Sequence, residues 1–266
     1  MFAILSKLFG TTKSTPAAAR PATALQSKPQ LETLEQRQVM SATIISGDLY
    51  VYGNNANNSA TVDYQTFSGV GYYKVVQDGA TQYFAASRVT GGDVAFYGYD
   101  GNDYFNNNTG LRTYAWGMNG NDTLLGSYNS DQLDGGNGSD HLYGYGGNDT
   151  LRAGYDYSYN YMDGGSGNDS LFGGWGGDAM YGNSGNDYLA GSYGNDYRSG
   201  GTGTDWLYGE QGNDTLNGGD DGVSDYLVGG SGADYFQVDF AWGFAHNNRD
   251  TMADFSSWAG DQTYNV

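Results

Sequence analysis

Gly135-Gly136-Asn137-Gly138-Ser139-Asp140-His141-Leu142, Gly164-Gly165-Ser166-Gly167-Asn168-Asp169-Ser170-Leu171 and Gly200-Gly201-Thr202-Gly203-Thr204-Asp205-Trp206-Leu207 are three wordings of one nine-residue unit, Gly-Gly-x-Gly-x-Asp-x-apolar-x. Its aspartates stand at 122, 131, 140 and 149, at 169, 178, 187, 196, 205 and 214, and at 225 and 234, so almost every step is nine. Two residues after them come Leu124, Leu133, Leu142, Leu151, Leu171, Met180, Leu189, Leu207, Leu216, Leu227 and Phe236. Six glycine-rich residues bend the chain tightly, because glycine takes positive φ at small steric cost. The three that follow have room only for a short strand whose central side chain points inward. One copy buries no core. Many stacked copies do, with strand above strand at about 4.8 Å and the apolar residues forming a continuous interior column. The pattern predicts an all-β protein, a parallel β-roll or β-helix solenoid of nonapeptide repeats closed by β caps at both ends.

The unit resembles the nonapeptide of RTX (hemolysin-type) calcium-binding proteins, and the resemblance covers roughly half of the chain. It implies that two consecutive nonapeptides make one coil. It further implies that each of several Ca2+ ions sits between stacked turns, held by sixth-position aspartates and by backbone carbonyls of the glycine-rich turns. On this chain the expected ligands are Asp122, Asp131, Asp140, Asp149, Asp169, Asp178, Asp187, Asp196, Asp205, Asp214, Asp225 and Asp234, with Gly138, Gly147, Gly167, Gly176, Gly185, Gly194, Gly203 and Gly212. Asp122, near the start of the array, is expected to have a single stacked neighbour.

The array has defects. At Tyr155 to Asn160 the glycines are gone, Asn160 replaces the aspartate, and two residues are added, although Met162 keeps the apolar column. A second insertion lies at Asp220 to Asp225, with Val223 in a glycine position, and Asn129 departs in the same way before Asp131. Arg198 occupies an apolar position. Weaker metal sites are expected around Asn160 and Asp225, and a local kink or exposed edge near Arg198.

Composition agrees with cation-binding turns. Of 266 residues 45 are glycine, 25 tyrosine and three proline, and there is no cysteine. Five of the 11 basic residues and two of the 30 acidic ones lie in the first 42, which leaves a net charge of −22 beyond them. Past residue 42 every acidic residue but Glu210 is aspartate. Short carboxylates suit ligation or Asx-type bonds in tight turns, whereas a surface that is acidic only for solubility has no reason to avoid glutamate. The acidity argues against nucleic acid, whose phosphates need clustered Lys and Arg. Hard oxygen donors in a flexible arrangement favour calcium, since magnesium demands a near-ideal octahedron and keeps its waters. The alternative is a set of solvated turn aspartates with no ion. Stacked carboxylates repel, and so few large apolar residues per repeat offset that repulsion poorly. Calcium binding is therefore expected to be coupled to folding, at affinities of about 10⁻⁴ to 10⁻³ M, the extracellular range.

Outside the array the chain divides into three further parts. Residues 1–42 read as a disordered basic leader with all three prolines. Within it Leu31 to Ala42 resembles the short Leu-Glu-x-Leu-Glu-x-Arg export tag of the LEPR-XLL type found in large bacterial surface proteins. The apolar start Met1-Phe2-Ala3-Ile4-Leu5 is too short for a membrane helix. Residues 43–115 read as an N-terminal β cap, with a strand-turn-strand at Thr43 to Gly53 and a hairpin at Tyr72 to Phe84 turning on Asp78-Gly79. Gly98-Tyr99-Asp100-Gly101-Asn102-Asp103-Tyr104-Phe105 is already one copy of the repeat. The array proper spans 116–239. Residues 240–266, with Asp250 to Phe255 and Gly260-Asp261, resemble the closing segment of RTX domains, which also directs export in that family. Either signal implies a secreted or surface protein.

No catalytic centre is expected. The two histidines, His141 and His246, lie in no H-E-x-x-H, and there is no G-x-S-x-G. The residues flanking each inward apolar one face outward, giving rows of Tyr188, Trp206, Tyr208 and Tyr226 and of Tyr143, Tyr181, Tyr197 and Tyr235. Such rows suit glycans, cell-surface components or another copy of the chain. They also suit simple stabilisation of the strand ladder.

Overall fold

The computed structural model describes residues 41–238, 251–252, 254 and 262–265. The basic leader with nearly all of its export segment lies outside them, as do Asp239, His246, Asp250, Phe255 and Gly260-Asp261.

Because each nonapeptide turns the chain through half a coil, successive strands fall alternately on two sheets. Among the described residues one sheet has 11 strands and the other 12. Within the array every pairing is parallel and joins residues one coil apart. In the first sheet the register runs Val51, Phe96, Ala115, Leu133, Leu151, Leu171, Leu189, Leu207, Leu227, Met252. In the second it runs Ala60, Phe105, Leu124, Leu142, Met162, Met180, Arg198, Leu216, Phe236. From Val51 to Leu227 and from Ala60 to Phe236 these side chains are buried, and all but Arg198 together form one core. The two columns meet face to face, as the stacked rings of Phe96 and Phe105 do at 4.6 Å between centroids.

Regular coils begin before residue 116, since the strands Asp93–Asp100 and Tyr104–Asn108 already pair in parallel with those above them. The expected strand-turn-strand and hairpin are both present. Ser41–Ile45 pairs antiparallel with Asp48–Tyr52, and Val70–Gln77 with Ala80–Ala85. A further strand, Ser59–Phe67, pairs antiparallel with Val70–Gln77 and parallel with Tyr104–Asn108, joining the hairpins to the solenoid. All three hairpin turns, Ser46-Gly47, Ser68-Gly69 and Asp78-Gly79, hold two successive residues at positive φ, the geometry that matches strand twist.

The fourth position of the unit shows why glycine is needed. At Gly138 φ is 120°, and an added Cβ would run into the carbonyl oxygen of Gly120 in the coil below. The clash is backbone against backbone, so no rotamer relieves it. The second position is more permissive: Tyr99, Met118, Tyr145, Asn183, Ser192 and Glu210 stand there at φ of 72° to 77°.

Both insertions are bridged by an aspartate. In regular coils the fourth-position N–H donates to a carbonyl of the next coil, as Gly120 does to Asn137 and Gly147 to Ser166, both at 2.8 Å. Where an insertion removes that carbonyl, Asp156 Oδ2 accepts from Gly138 N at 2.6 Å and Asp221 Oδ2 from Gly203 N at 2.7 Å.

The expected kink or exposed edge at Arg198 does not occur. Its strand, Tyr197–Thr202, keeps register with both neighbours, and its side chain is fully buried. A guanidinium can remain inside only if oxygens surround it, and the glycine-rich turns supply them.

Candidate metal centre

All twelve sixth-position aspartates point inward and are at most 3% exposed. They form two rows, one at the edge of each sheet. In one row Asp103 N–H donates to Asp122 Oδ1 at 2.7 Å, and Asp122 N–H to Asp140 Oδ1 at 2.8 Å. Asn160, Asp178, Asp196, Asp214 and Asp234 continue it. In the other, Thr113 N–H donates to Asp131 Oδ1 at 2.6 Å, and Asp149, Asp169, Asp187, Asp205 and Asp225 follow. Asp122 therefore has two stacked neighbours, Asp103 and Asp140, rather than the expected one. Asp103 belongs to the repeat copy already visible before the array.

The ladder uses one carboxylate oxygen and leaves the other. Oδ2 of Asp103, Asp122, Asp140, Asp149, Asp169, Asp178, Asp187 and Asp214 is buried and has no hydrogen-bond partner among the described residues. Each lies over the first glycine of its own turn, and in most turns the same point is approached by a first-position carbonyl oxygen of the next coil, that of Ala153 over Gly135. A Cβ on Gly173, for instance, would fall 2.7 Å from Asp178 Oδ2 and 2.6 Å from Gly191 O. Gly98, Gly117, Gly144, Gly182 and Gly209 have the same pair of oxygens at that point. A carboxylate oxygen without a donor and a neutral carbonyl thus converge on a space that only a missing side chain keeps open. Buried acceptors with no donor are costly, and a hard cation is the group that fits them.

Metal-free, these carboxylates are held against ionisation. Burial, partly offset by the ladder hydrogen bond, pushes Asp140 and Asp149 up to about 8. It pushes Asp103 and Asp187 up to about 7, and burial takes Asp196 equally high although the buried Arg198 guanidinium draws it down. For Asp122, Asp131, Asp169 and Asp178 the value is about 6, and Asp214 is raised as well. A bound cation supplies the opposite charge that lets them ionise in place.

The rows are not uniform. Asp131 accepts from Ser127 N at Oδ2 and from Ser127 Oγ at Oδ1, 3.1 Å, so its carboxylate is already occupied. At Asn160 an amide replaces the acid, and Nδ2 donates to Asp178 Oδ1 at 3.0 Å and to Ser158 O at 3.2 Å. Among the described residues no three His, Cys, Asp or Glu side chains converge as a metal cluster. Each cradle pairs a carboxylate with backbone oxygens instead. The fourth-position glycines Gly138, Gly147, Gly167, Gly176, Gly185, Gly194, Gly203 and Gly212 pack against the backbone of the coil below. First-position glycines line the cradle. Sequence reasoning missed them because both positions read simply as glycine.

The class is thus a parallel β-solenoid whose turns hold rows of inward carboxylates over glycine cradles. Residues 116–152, 160–189, 190–223 and 220–237 match the family model of the RTX calcium-binding nonapeptide repeat, in four copies, and this part of the chain is an RTX repeat array. A comparison of the chain with curated proteins finds no match.

Proposed function

We propose that the protein is a secreted calcium-binding β-roll in which several Ca2+ ions, bound between stacked turns, couple folding to extracellular calcium. The aspartates of the two rows are its ligands, together with carbonyls of the glycine-rich turns. Its role is structural or surface-associated and it has no catalytic centre. One observation carries this reading: the repeated convergence of a donorless, buried Asp Oδ2 and a backbone carbonyl of the next coil. No helix among the described residues is long and apolar enough to cross a membrane, a statement that leaves β-barrels aside. Titrating the purified chain with calcium under circular dichroism, and counting bound ions, tests the reading. The expected result is a cooperative gain of β-structure with several ions bound and none with magnesium. Unchanged circular dichroism in excess chelator overturns it.

A second reading, adhesion to glycans or to another copy, is favoured by the outward aromatic rows. Tyr143, Tyr161, Tyr181 and Tyr197 lie with tilted rings 5.4 to 5.6 Å apart between centroids along one face. Tyr188, Tyr208 and Tyr226 do so at 5.3 and 6.0 Å on the other, beside Trp206, which is 40% exposed. Glycan-array binding lost in Trp206→Ala, with calcium affinity kept, is the result this reading expects.

A further inference from the structure

Arg198 stands in the apolar column between Met180 and Leu216, yet its guanidinium does not sit among their side chains. It turns to the edge of the sheet and into a glycine-rich turn. Nη1 donates to Tyr208 O at 2.8 Å and Gly209 O at 3.2 Å, and lies 3.4 Å from Asp196 Oδ2. Nη2 makes an ion-pair contact with Asp214 Oδ1 at 2.8 Å, off the line of a hydrogen bond, and Nε has no partner among the described residues. Both carboxylates and the arginine are fully buried.

These partners are the cradle's own oxygens. In the turn below, a Cβ on Gly173 would meet Asp178 Oδ2 and Gly191 O. In the turn above, one on Gly209 would meet Asp214 Oδ2 and Gly229 O. On Gly191, between them, the nearest atoms are Arg198 Nη1 and then Asp196 Oδ2. The oxygens that converge elsewhere on open space, the turn's Oδ2 and the next coil's first-glycine carbonyl, are here both bonded to Nη1. Calcium needs its oxygens at about 2.3 to 2.6 Å, so an ion on Asp196 Oδ2 and Gly209 O would overlap the nitrogen. Arginine stays charged in any protein environment and offers several donors in a fixed fork, which suits it to a place lined by two acids and two carbonyls.

We propose that Arg198 is a tethered cation occupying the centre between the Asp196 and Asp214 turns. That centre takes no calcium, and its coil is held together before calcium binds to the rest of the array. A solenoid nucleates at any sufficiently stable pair of repeats and propagates to its neighbours. The coil containing Arg198 is then the ion-independent starting point from which calcium-dependent stacking extends in both directions. This rests on the reading that calcium fills the other turns.

The test has two arms, both on the full chain. In the first, bound calcium is counted at saturation for the unmodified protein and for Arg198→Met, which restores an apolar side chain like that of Met180. The variant is expected to bind one more ion per chain; equal counts in a folded variant overturn the proposal. In the second, hydrogen exchange is followed in excess chelator. The N–H groups of Tyr197 and Thr215, which donate to Asp178 O and Asp196 O, are expected to exchange at least about tenfold more slowly than those of Thr150 and Ser170, which donate to Asp131 O and Asp149 O. Arg198→Met is expected to abolish the difference. Equal rates in the unmodified chain overturn the proposal, and this arm decides even if the variant does not fold. If neither protein binds calcium, the calcium reading fails while the exchange arm still judges Arg198.

Discussion

Acid should substitute for calcium. Asp140 and Asp149, pushed up to about 8 by burial, and Asp103 and Asp187, up to about 7, bind protons more tightly in the metal-free fold than in the unfolded chain. A group whose folded value is raised contributes its stability fully below the unfolded value. It loses that contribution as pH climbs through the folded one. Metal-free stability from these groups is therefore greatest below about pH 4 and falls progressively as pH rises to about 8. Each tenfold change in proton affinity is worth about 1.4 kcal/mol, so raising one carboxyl from 3.8 to about 6, as for Asp122, withdraws about 3 kcal/mol at high pH. Halved for solvent screening, a few such groups still rival the ~5 to 15 kcal/mol that holds an ordinary domain together. Calcium reverses the trend, because it needs the carboxylates ionised and competes with the proton. The assay is thermal unfolding by circular dichroism on calcium-stripped protein between pH 5 and 8.5, with and without millimolar calcium. A stripped protein as stable at pH 8.5 as at pH 5 refutes the argument.

Three substitutions extend the reasoning. Gly138→Ala drives a Cβ into the backbone of Gly120 at φ 120°, so the calcium-induced gain of β-structure should shrink and exchange in that coil should quicken. Leu142→Ala, in the middle of a fully buried column between Leu124 and Met162, should cost about 2 to 5 kcal/mol. The loss is read as a lower thermal midpoint in saturating calcium. Glu210→Gly should do the opposite. Glu210 is held at φ 74° where Gly136, Gly165 and Gly201 stand in equivalent turns, and relief of that conformation should raise stability by about 0.5 to 1 kcal/mol in the same measurement.

The hairpin at Asp78-Gly79 was legible because a two-residue turn with both φ positive is written in its own residues. Arg198 was misread for the opposite reason. A charged residue in an apolar column signals an exposed edge unless oxygens lie within reach, and its oxygens belong to Tyr208, Gly209 and Asp214, on the following turns of chain. The same holds for Asp156, which reads as part of a defective repeat and acts as the bridge across it. Asp122 gained a second neighbour because Asp103, 19 residues earlier, lies in register with it.

The nine-residue period by itself determined the solenoid and its continuous apolar interior, because a repeat too small to bury its own face has only its neighbours to pack against, whereas the division into two columns and two rows of aspartates was what the RTX resemblance implied. Only the tertiary structure decided how each carboxylate divides its oxygens, one to the ladder and one to the cradle. It alone assigned the lining of that cradle to first-position glycines, and one cradle to an arginine. Those choices are made between atoms a full coil apart, at distances that spacing along the chain does not encode.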